Sequence, residues 1–228
     1  MKNWYQLTES ETLDKLGVTS EGLSSQQADS LLEKHGKNVL EESKKKSVFQ
    51  VFLSQFADLM VIILIIAAIV SMFSGSVEST IVIFAVITLN AILGTVQHVK
   101  AEKSLESLKS LSSPSAKVIR DGRKIEIDSE NIVPGDIVVL EAGDLVVADG
   151  RIINNYSLQV NESSLTGEST NIDKSVETIE KEVPLADRTD MVFSGSLVTY
   201  GRAIVVVTET GMNTEIGKIA TLMNQAKS

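Results

Sequence analysis

The sequence predicts a mixed fold, in which a two-helix transmembrane hairpin separates a cytosolic helical N-terminal segment from an all-β domain. Residues 59–77 and 79–99 carry no formal charge, with His98 counted as neutral. Short helices with clear capping signals precede these runs, and short strands separated by turn residues follow them. We therefore expect four segments, with boundaries at 1–56, 57–99, 100–115 and 116–228.

The composition excludes several classes of function. The chain has 228 residues, no cysteine and only two histidines, so disulfide frameworks, thiolate metal sites and multi-histidine zinc centres are excluded. The net charge of −9 and the aromatic content of 4% argue against a nucleic-acid-binding protein. The sequence predicts no metal site in this chain and no nucleic-acid partner.

Two short helices are predicted near the N-terminus. Thr8-Glu9-Ser10-Glu11 has the form of a capping box, and Gly17 is a typical stop for the helix that follows. Ser24-Ser25-Gln26-Gln27 begins a second helix, which ends at Gly36. The pattern favours a small structural helical pair over a regulatory element.

The two uncharged runs are each long enough to cross a membrane, because a spanning helix needs about 20 apolar residues. The apolar face of residues 48–56, which follows three lysines, predicts a helix at the membrane surface before the first span. The alternative is a hairpin of buried helices in a soluble protein. Core helices of this length normally keep a polar stripe, and these runs have none.

The distribution of lysines predicts the orientation of the hairpin. Lys44, Lys45 and Lys46 precede the first span and Lys100 and Lys103 follow the second, whereas the turn between the spans has no basic residue. By the positive-inside rule, the N-terminal segment and the β domain both face the cytoplasm. We expect an integral protein of the cell membrane whose partner is lipid.

The second span is predicted to continue as a helix into the cytoplasm. Ala101, Leu105 and Leu108 recur at helical spacing, and Ser112-Ser113-Pro114-Ser115 ends the pattern. This helix is either a stalk that transmits movement between a domain and a span or a plain solvated helix.

Short strands dominate the chain from residue 116. Asp121-Gly122 lies between two strand-like runs and predicts a tight hairpin. Residues 172–190 are polar and weakly periodic, so we expect an exposed excursion there, and a helix begins near Thr214. Many short strands with regular turns imply a sandwich or jelly roll. The further strands are predicted at 137–140, 151–154, 158–160, 191–193 and 203–208.

The β domain lacks the common catalytic constellations. It has no phosphate-binding P-loop, no Gly-x-Ser-x-Gly elbow and no histidine that could serve as a base. One tetrapeptide stands out, Thr166-Gly167-Glu168-Ser169, because a glycine beside a glutamate allows an unusual turn that projects the acid outward. Taken alone, this tetrapeptide fits an ordinary turn equally well.

Several segments, in this order, resemble the P-type ATPases, and specifically their calcium-pump-like branch. The similar segments are QFADLM, NAILGTVQ, IVPGDIV, the Gly-Asp-x-x-x-Ala-Asp pattern at 143–149, SSLTGES and TGMNTEIGKI. Their ordered occurrence is far more specific than any one of them. Two positions depart from the family pattern. Val147 replaces a proline, which we expect to loosen a turn, and Asn161 replaces an aspartate, which could alter the packing or the rate of the loop.

The resemblance implies a distorted jelly-roll actuator domain and a role for its loop. In the family, the actuator drives hydrolysis of an aspartyl phosphate, and Glu168 would orient and deprotonate the attacking water. Gly167 would allow close approach to the phosphorylated domain, and the hydroxyls of Thr166 and Ser169 would hold the loop.

The resemblance also implies partners within a longer protein. The sequence contains no Asp-Lys-Thr-Gly motif, so we expect an N-terminal part of a pump that is inactive alone. The remaining domains would bind ATP and Mg²⁺, and later spans would bind the transported ion, here Ca²⁺. The alternatives are a pump for H⁺, Na⁺ or Mg²⁺, or a membrane-anchored β module that binds a partner and catalyses nothing.

Overall fold

The computed structural model describes residues 2–41, 45–111 and 114–227. Two compact units make up the chain: Met1–Glu41 together with Ser113–Ser228, and Glu42–Ser112. Lys44 and the pair Ser112-Ser113, which enter the predictions of orientation and of the end of the stalk, lie outside the described residues.

The N-terminal helices form as their capping signals predict. Helix α1 spans Glu9–Leu16 and α2 spans Ser25–His35. Thr8 and Ser24 are the N-caps, and each makes a reciprocal capping box with the residue three positions later. Gly17 ends α1 in the left-handed conformation, with φ 67°. Both predicted helices are confirmed.

Three helices form the second unit: α3 (Val48–Gln55), α4 (Leu59–Phe73) and α5 (Val77–Leu111). Asp58 separates α3 from α4, because its carboxylate caps α4 by accepting from the amide of Met60 at 2.9 Å. The axes of these two helices differ by 64°.

Only α5, among the described helices, is long and apolar enough to cross a membrane by itself. Helices α3 and α4 satisfy the same criterion only as one bent pair. The predicted hairpin of two complete spans is therefore not confirmed, since α4 has 15 residues and the chain bends before it. The predicted continuation of the second apolar run into a longer helix is confirmed, because α5 extends to Leu111.

The described residues of the first unit form seven strands in one antiparallel sheet, with the order β2-β1-β3-β7-β4-β5 and with β6 paired to β4. Helix α6 (Ser163–Thr166) is a single turn between β4 and β5 that the sequence pattern does not predict. Helix α7 (Glu215–Lys227) follows β7 and begins close to its predicted start. The strands are β1 (Ser115–Arg120), β2 (Arg123–Asp128), β3 (Ile137–Glu141), β4 (Asp149–Asn161), β5 (Asn171–Asp173), β6 (Met191–Val192) and β7 (Leu197–Glu209).

Two strand predictions need comment. The hairpin at Asp121-Gly122 is confirmed, and both of its turn residues have positive φ. The separate strands predicted at 151–154 and 158–160 are wrong, because β4 is continuous. Its register shifts against β7, and Ser157 has φ 54°, so an irregular strand was mistaken for two short ones.

The segment 172–190 is less exposed than predicted. Its interior is mostly half-buried, and Lys174 and Asp190, near its two ends, are buried. Their charges have buried partners: Glu162 faces Lys174, and Arg151 faces Asp190. The expectation of an exposed excursion was wrong because polarity indicates exposure only where such partners are missing.

Apolar side chains cover both faces of the sheet. Adjacent residues of β3 and β7 point to opposite faces, as the alternation of a strand requires. One face forms a core that includes Val138 and Val205. The opposite face carries Ile137 and Val206, against which α1, α2 and Leu23 pack. The N-terminal helices thus belong to the same unit as the sheet.

Candidate functional site

The loop from Glu162 to Thr170 connects two paired strands. β4 and β5 are antiparallel, and Asn161 lies opposite Asn171 at their last pair. Helix α6 occupies the first half of the loop, and its C-cap is Gly167. The hairpin therefore holds both ends of the loop while its tip stays exposed.

Gly167 turns the chain at the tip of this loop. Its φ of 76° and ψ of −3° lie in the left-handed region, which favours glycine. Its amide donates to the carbonyl of Ser163 at 3.0 Å. A Cβ added at Gly167 would meet no atom within 4 Å, so the backbone conformation, not space, requires glycine.

Thr166 holds the residue that follows the turn. Its hydroxyl donates to the carbonyl of Glu162 at 3.2 Å and accepts from the amide of Glu168 at 3.3 Å. The Glu168 carboxylate is exposed and has no hydrogen bond or ion pair among the described residues. Only the backbone of Glu168 is held, and its exposed carboxylate can accept a proton from a bound water.

Ser169 holds the loop differently from the prediction. Its hydroxyl makes no hydrogen bond within the described part of the chain, but its carbonyl accepts from the side-chain amide of Asn161 at 3.2 Å. The side-chain oxygen of Asn161 accepts from the amide of Ser163 at 3.0 Å. Asn161 therefore links the two sides of the loop.

A buried ion pair lies at the base of the loop. The side chains of Glu162 and Lys174 are both fully buried and in contact, and the Lys174 ammonium lies 5.5 Å from the ring centroid of Phe193. Burial raises the pKa of Glu162 and lowers that of Lys174. Sequence reasoning missed this pair, because a single charged residue near a loop normally indicates a solvated surface.

Asp149, the last residue of the Gly-Asp-x-x-x-Ala-Asp pattern, anchors α7. Its carboxylate accepts from the amides of Ser194 at 2.9 Å and Glu215 at 2.8 Å, the second being the first residue of α7. Burial raises the pKa of Asp149 to about 7. Val147 stands where the family pattern has proline, but the backbone there is still held by a hydrogen bond. The Val147 carbonyl accepts from the side-chain amide of Asn38 at 2.9 Å.

The described residues around the loop do not form a metal-binding cluster. Among the residues that the structure describes, no three histidine, cysteine or acidic side chains are placed to hold a metal ion. The loop presents the exposed carboxylate of Glu168 on a conformationally defined turn.

Comparison with known proteins gives two family matches. Residues 110–224 match the family described as P-type ATPase actuator domain, and residues 4–71 match the one described as Cation transporter/ATPase, N-terminus. The first match alone covers half of the chain and includes the whole loop.

Individual relatives agree with these matches. The chain is 47% identical to a calcium-transporting ATPase of Listeria monocytogenes over 224 residues, which are 98% of this chain and 26% of that protein. It is 44% identical to calcium-transporting ATPase 1 of Bacillus cereus, over 99% of this chain and 26% of that protein. It is 40% identical to cation-transporting ATPase pma1 of Synechocystis, over 93% and 23%. The chain spans about a quarter of the length of these relatives, and with its two family matches it belongs to the P-type ATPases, with residues 110–224 as the actuator domain.

Proposed function

We propose that this chain is the N-terminal quarter of an ATP-driven pump that transports calcium. The observation that carries the proposal is the exposed, unpaired carboxylate of Glu168 on a turn fixed by Gly167 and Thr166, within a family actuator domain. The names of several relatives, calcium-transporting ATPases that match nearly the whole chain, support the choice of ion. The chain alone is inactive, because the proposed phosphorylation and nucleotide sites belong to the remaining domains.

The proposed role of Glu168 is to activate water. In the complete pump, the oxygen of a water attacks the phosphorus of an aspartyl phosphate, Glu168 takes a proton from that water, and the aspartate leaves as a carboxylate. ATP and Mg²⁺ bind to the other domains, and they serve the earlier phosphorylation step. Gly167 gives the loop a tip without a side chain, so its backbone can approach the phosphorylated domain closely.

The membrane part of the proposal rests on charge and length. α5 is a candidate span, and α3 with α4 is a second, bent one. By the positive-inside rule, the lysines on either side support a cytoplasmic position for the N-terminal helices and the actuator of a cell-membrane protein. We take the sheet as a distorted jelly roll, the segment boundaries as 1–56, 57–99, 100–115 and 116–228, and the end of α5 as a stalk that moves the span when the actuator rotates.

Replacing Glu168 by glutamine in the complete pump tests the role of its carboxylate. Glu168→Gln keeps the shape but removes the basic oxygen, so phosphorylation from ATP survives while phosphoenzyme decay slows by about 10² or more. A chase with unlabelled ATP measures that decay. The matched control is Glu177→Gln, an exposed acid of the same domain, which should decay like the wild type. Wild-type decay in Glu168→Gln would remove Glu168 from the mechanism and favour a non-catalytic β module.

The transported ion has its own test. We expect phosphoenzyme formation by the complete pump to require micromolar Ca²⁺. Phosphorylation that depends instead on H⁺ or Na⁺, or transport of Mg²⁺, would assign the chain to another cation. Neither result would alter the role of Glu168 in dephosphorylation.

A further inference from the structure

The Glu162–Lys174 pair is unusual in being completely removed from solvent. Neither side chain has exposed surface. Glu162 directly follows β4, at the start of the loop that carries Glu168, and Lys174 directly follows β5. The Lys174 backbone is fixed on β4, since its amide donates to Leu158 at 2.9 Å and its carbonyl accepts from the Asn155 side chain at 2.7 Å.

Stability alone does not account for such a pair. Removing two charges from water carries a large desolvation cost for each ion, and apolar residues of similar volume often stabilise a fold equally well or better. Burial acts against both charges here, because it raises the pKa of Glu162 and lowers that of Lys174. Unlike an apolar contact, an ion pair defines a distance and a direction between two backbone positions.

The backbone of Glu162 transmits this position to the tip of the loop. Its carbonyl accepts from the amides of Leu165 at 2.9 Å and Thr166 at 3.0 Å, and from the Thr166 hydroxyl at 3.2 Å. The same hydroxyl accepts from the amide of Glu168. A shift of the Glu162 backbone therefore moves α6 and the residue that carries the exposed carboxylate.

We propose that the buried Glu162–Lys174 ion pair is a positioning device, which locks the base of the loop so that the Glu168 carboxylate meets the attacking water. Both are positioning residues, because neither reaches the reacting atoms. The inference rests on the proposed role of Glu168. It adds two residues of this chain to the determinants of the dephosphorylation rate.

The test replaces both charges at once in the complete pump. Glu162→Met with Lys174→Met leaves no unpaired buried charge and nearly conserves volume, but methionine is flexible and defines position poorly. We expect a melting temperature within a few degrees of wild type, normal phosphorylation from ATP, and phosphoenzyme decay slowed about tenfold or more. Glu162→Gln alone leaves the buried Lys174 charge without its counter-ion, so it should lower the melting temperature more than the double replacement does.

A second experiment separates positioning from general damage. In the Glu168→Gln background, the double replacement should slow decay no further, because the group that it positions is already disabled. Arg120→Met is the control, since it breaks another ion pair of the same unit, in which the half-buried Arg120 contacts the buried Asp136 at 2.7 Å. It should lower the melting temperature and leave decay at the permissive temperature unchanged.

The outcomes distinguish the two proposals. Two results would overturn the positioning role alone. One is slow decay in Glu168→Gln together with wild-type decay in the double replacement. The other is a double replacement that slows decay equally in the wild-type and Glu168→Gln backgrounds. Wild-type decay in Glu168→Gln overturns the proposed function, and the positioning role with it. If the double replacement does not fold, Lys174→Arg takes its place. It keeps the charge but enlarges the head group, and the same non-additive slowing is expected, whereas wild-type decay would refute the idea.

Discussion

The side-chain amide of Asn161 donates to the carbonyl of Ser169 at 3.2 Å, while its oxygen accepts from the amide of Ser163 at 3.0 Å. An aspartate, the residue usual in the family at this position, can make the second bond but has no donor for the first. The departure at Asn161 therefore adds a link across the loop, which is a change in how the loop packs.

We expect Asn161→Asp to slow phosphoenzyme decay. The variant loses one hydrogen bond and places a carboxylate against a carbonyl oxygen, and the loss of about 0.5–1.5 kcal/mol corresponds to roughly 2- to 10-fold. A phosphoenzyme chase in the complete pump measures it. Asn154→Asp adds the same charge to an exposed position of the same strand and should have no effect. Equal rates in both variants would show that the link does not influence the loop.

Substitutions at Gly167 should separate backbone conformation from space. Within this chain a Cβ at Gly167 meets no neighbour, so an effect on the loop itself comes from φ 76°, a conformation that costs most residues roughly 1–2 kcal/mol. We expect Gly167→Ala to slow phosphoenzyme decay by about tenfold. Gly167→Asn should slow it less, because asparagine enters the left-handed region more readily.

The order of the two variants decides this prediction. A larger defect in Gly167→Asn than in Gly167→Ala would mean that side-chain size outweighs backbone conformation, and that close approach of the loop tip to the phosphorylated domain is the main reason for glycine. Wild-type decay in both would show that the turn tolerates either conformation.

Local signals in the sequence predicted local structure well. The capping residue Thr8, the turn Asp121-Gly122 and the positive φ available to Gly167 each follow from a few neighbouring residues. The sequence also singled out the tetrapeptide that forms the exposed tip of the loop.

Tertiary relationships could not be predicted in the same way. The sequence predicts that Lys174 and Asp190 are surface charges. Their buried partners, Glu162 and Arg151, come into contact with them only in the folded sheet. The continuity of β4 was missed for a similar reason. Pairing with β7 keeps β4 continuous across Ser157, where the local sequence pattern predicts the end of a strand.

Cysteine labelling tests the proposed topology. The chain has no cysteine, so single replacements at Ser76, Ser104 and Ser163 give unique sites. Ser76 lies between α4 and α5, and we expect Ser76→Cys to react with an impermeant reagent from outside the cell. Ser104→Cys and Ser163→Cys should react only after the membrane is opened. Reaction of all three from one side would contradict a pair of spans and make α3 and α4 a surface or re-entrant element.

Asp149 should make the stability of the actuator unit depend on pH. Its pKa is about 7 in the folded chain and near 3.8 when unfolded, so the folded state binds more protons between these values. The free energy of unfolding must then fall as pH rises from about 4 to 7, and level off above 7. Three pKa units correspond to at most roughly 4 kcal/mol. Glu162 and Asp190 also have raised pKa values and add to the fall.

Comparison with Asp149→Asn isolates the contribution of this carboxyl. Asparagine cannot titrate, and its single oxygen can accept from only one of the amides of Ser194 and Glu215. The wild type should therefore be more stable than the variant at pH 5, and this advantage should shrink by pH 8, while the contributions of Glu162 and Asp190 cancel in the difference. Trp4, the only tryptophan, lines the same cavity of about 410 Å³ as Asp149, so its fluorescence can follow unfolding of this unit.

The exposed acid Asp29 supplies the control for this last measurement. Asp29→Asn removes a carboxyl that stays in water on α2, so its pH profile should run parallel to that of the wild type. A stability difference between wild type and Asp149→Asn that is constant from pH 5 to 8 would mean that Asp149 stays ionised throughout. Its two amide bonds would then outweigh its burial, and α7 would be held by a carboxylate with an ordinary pKa.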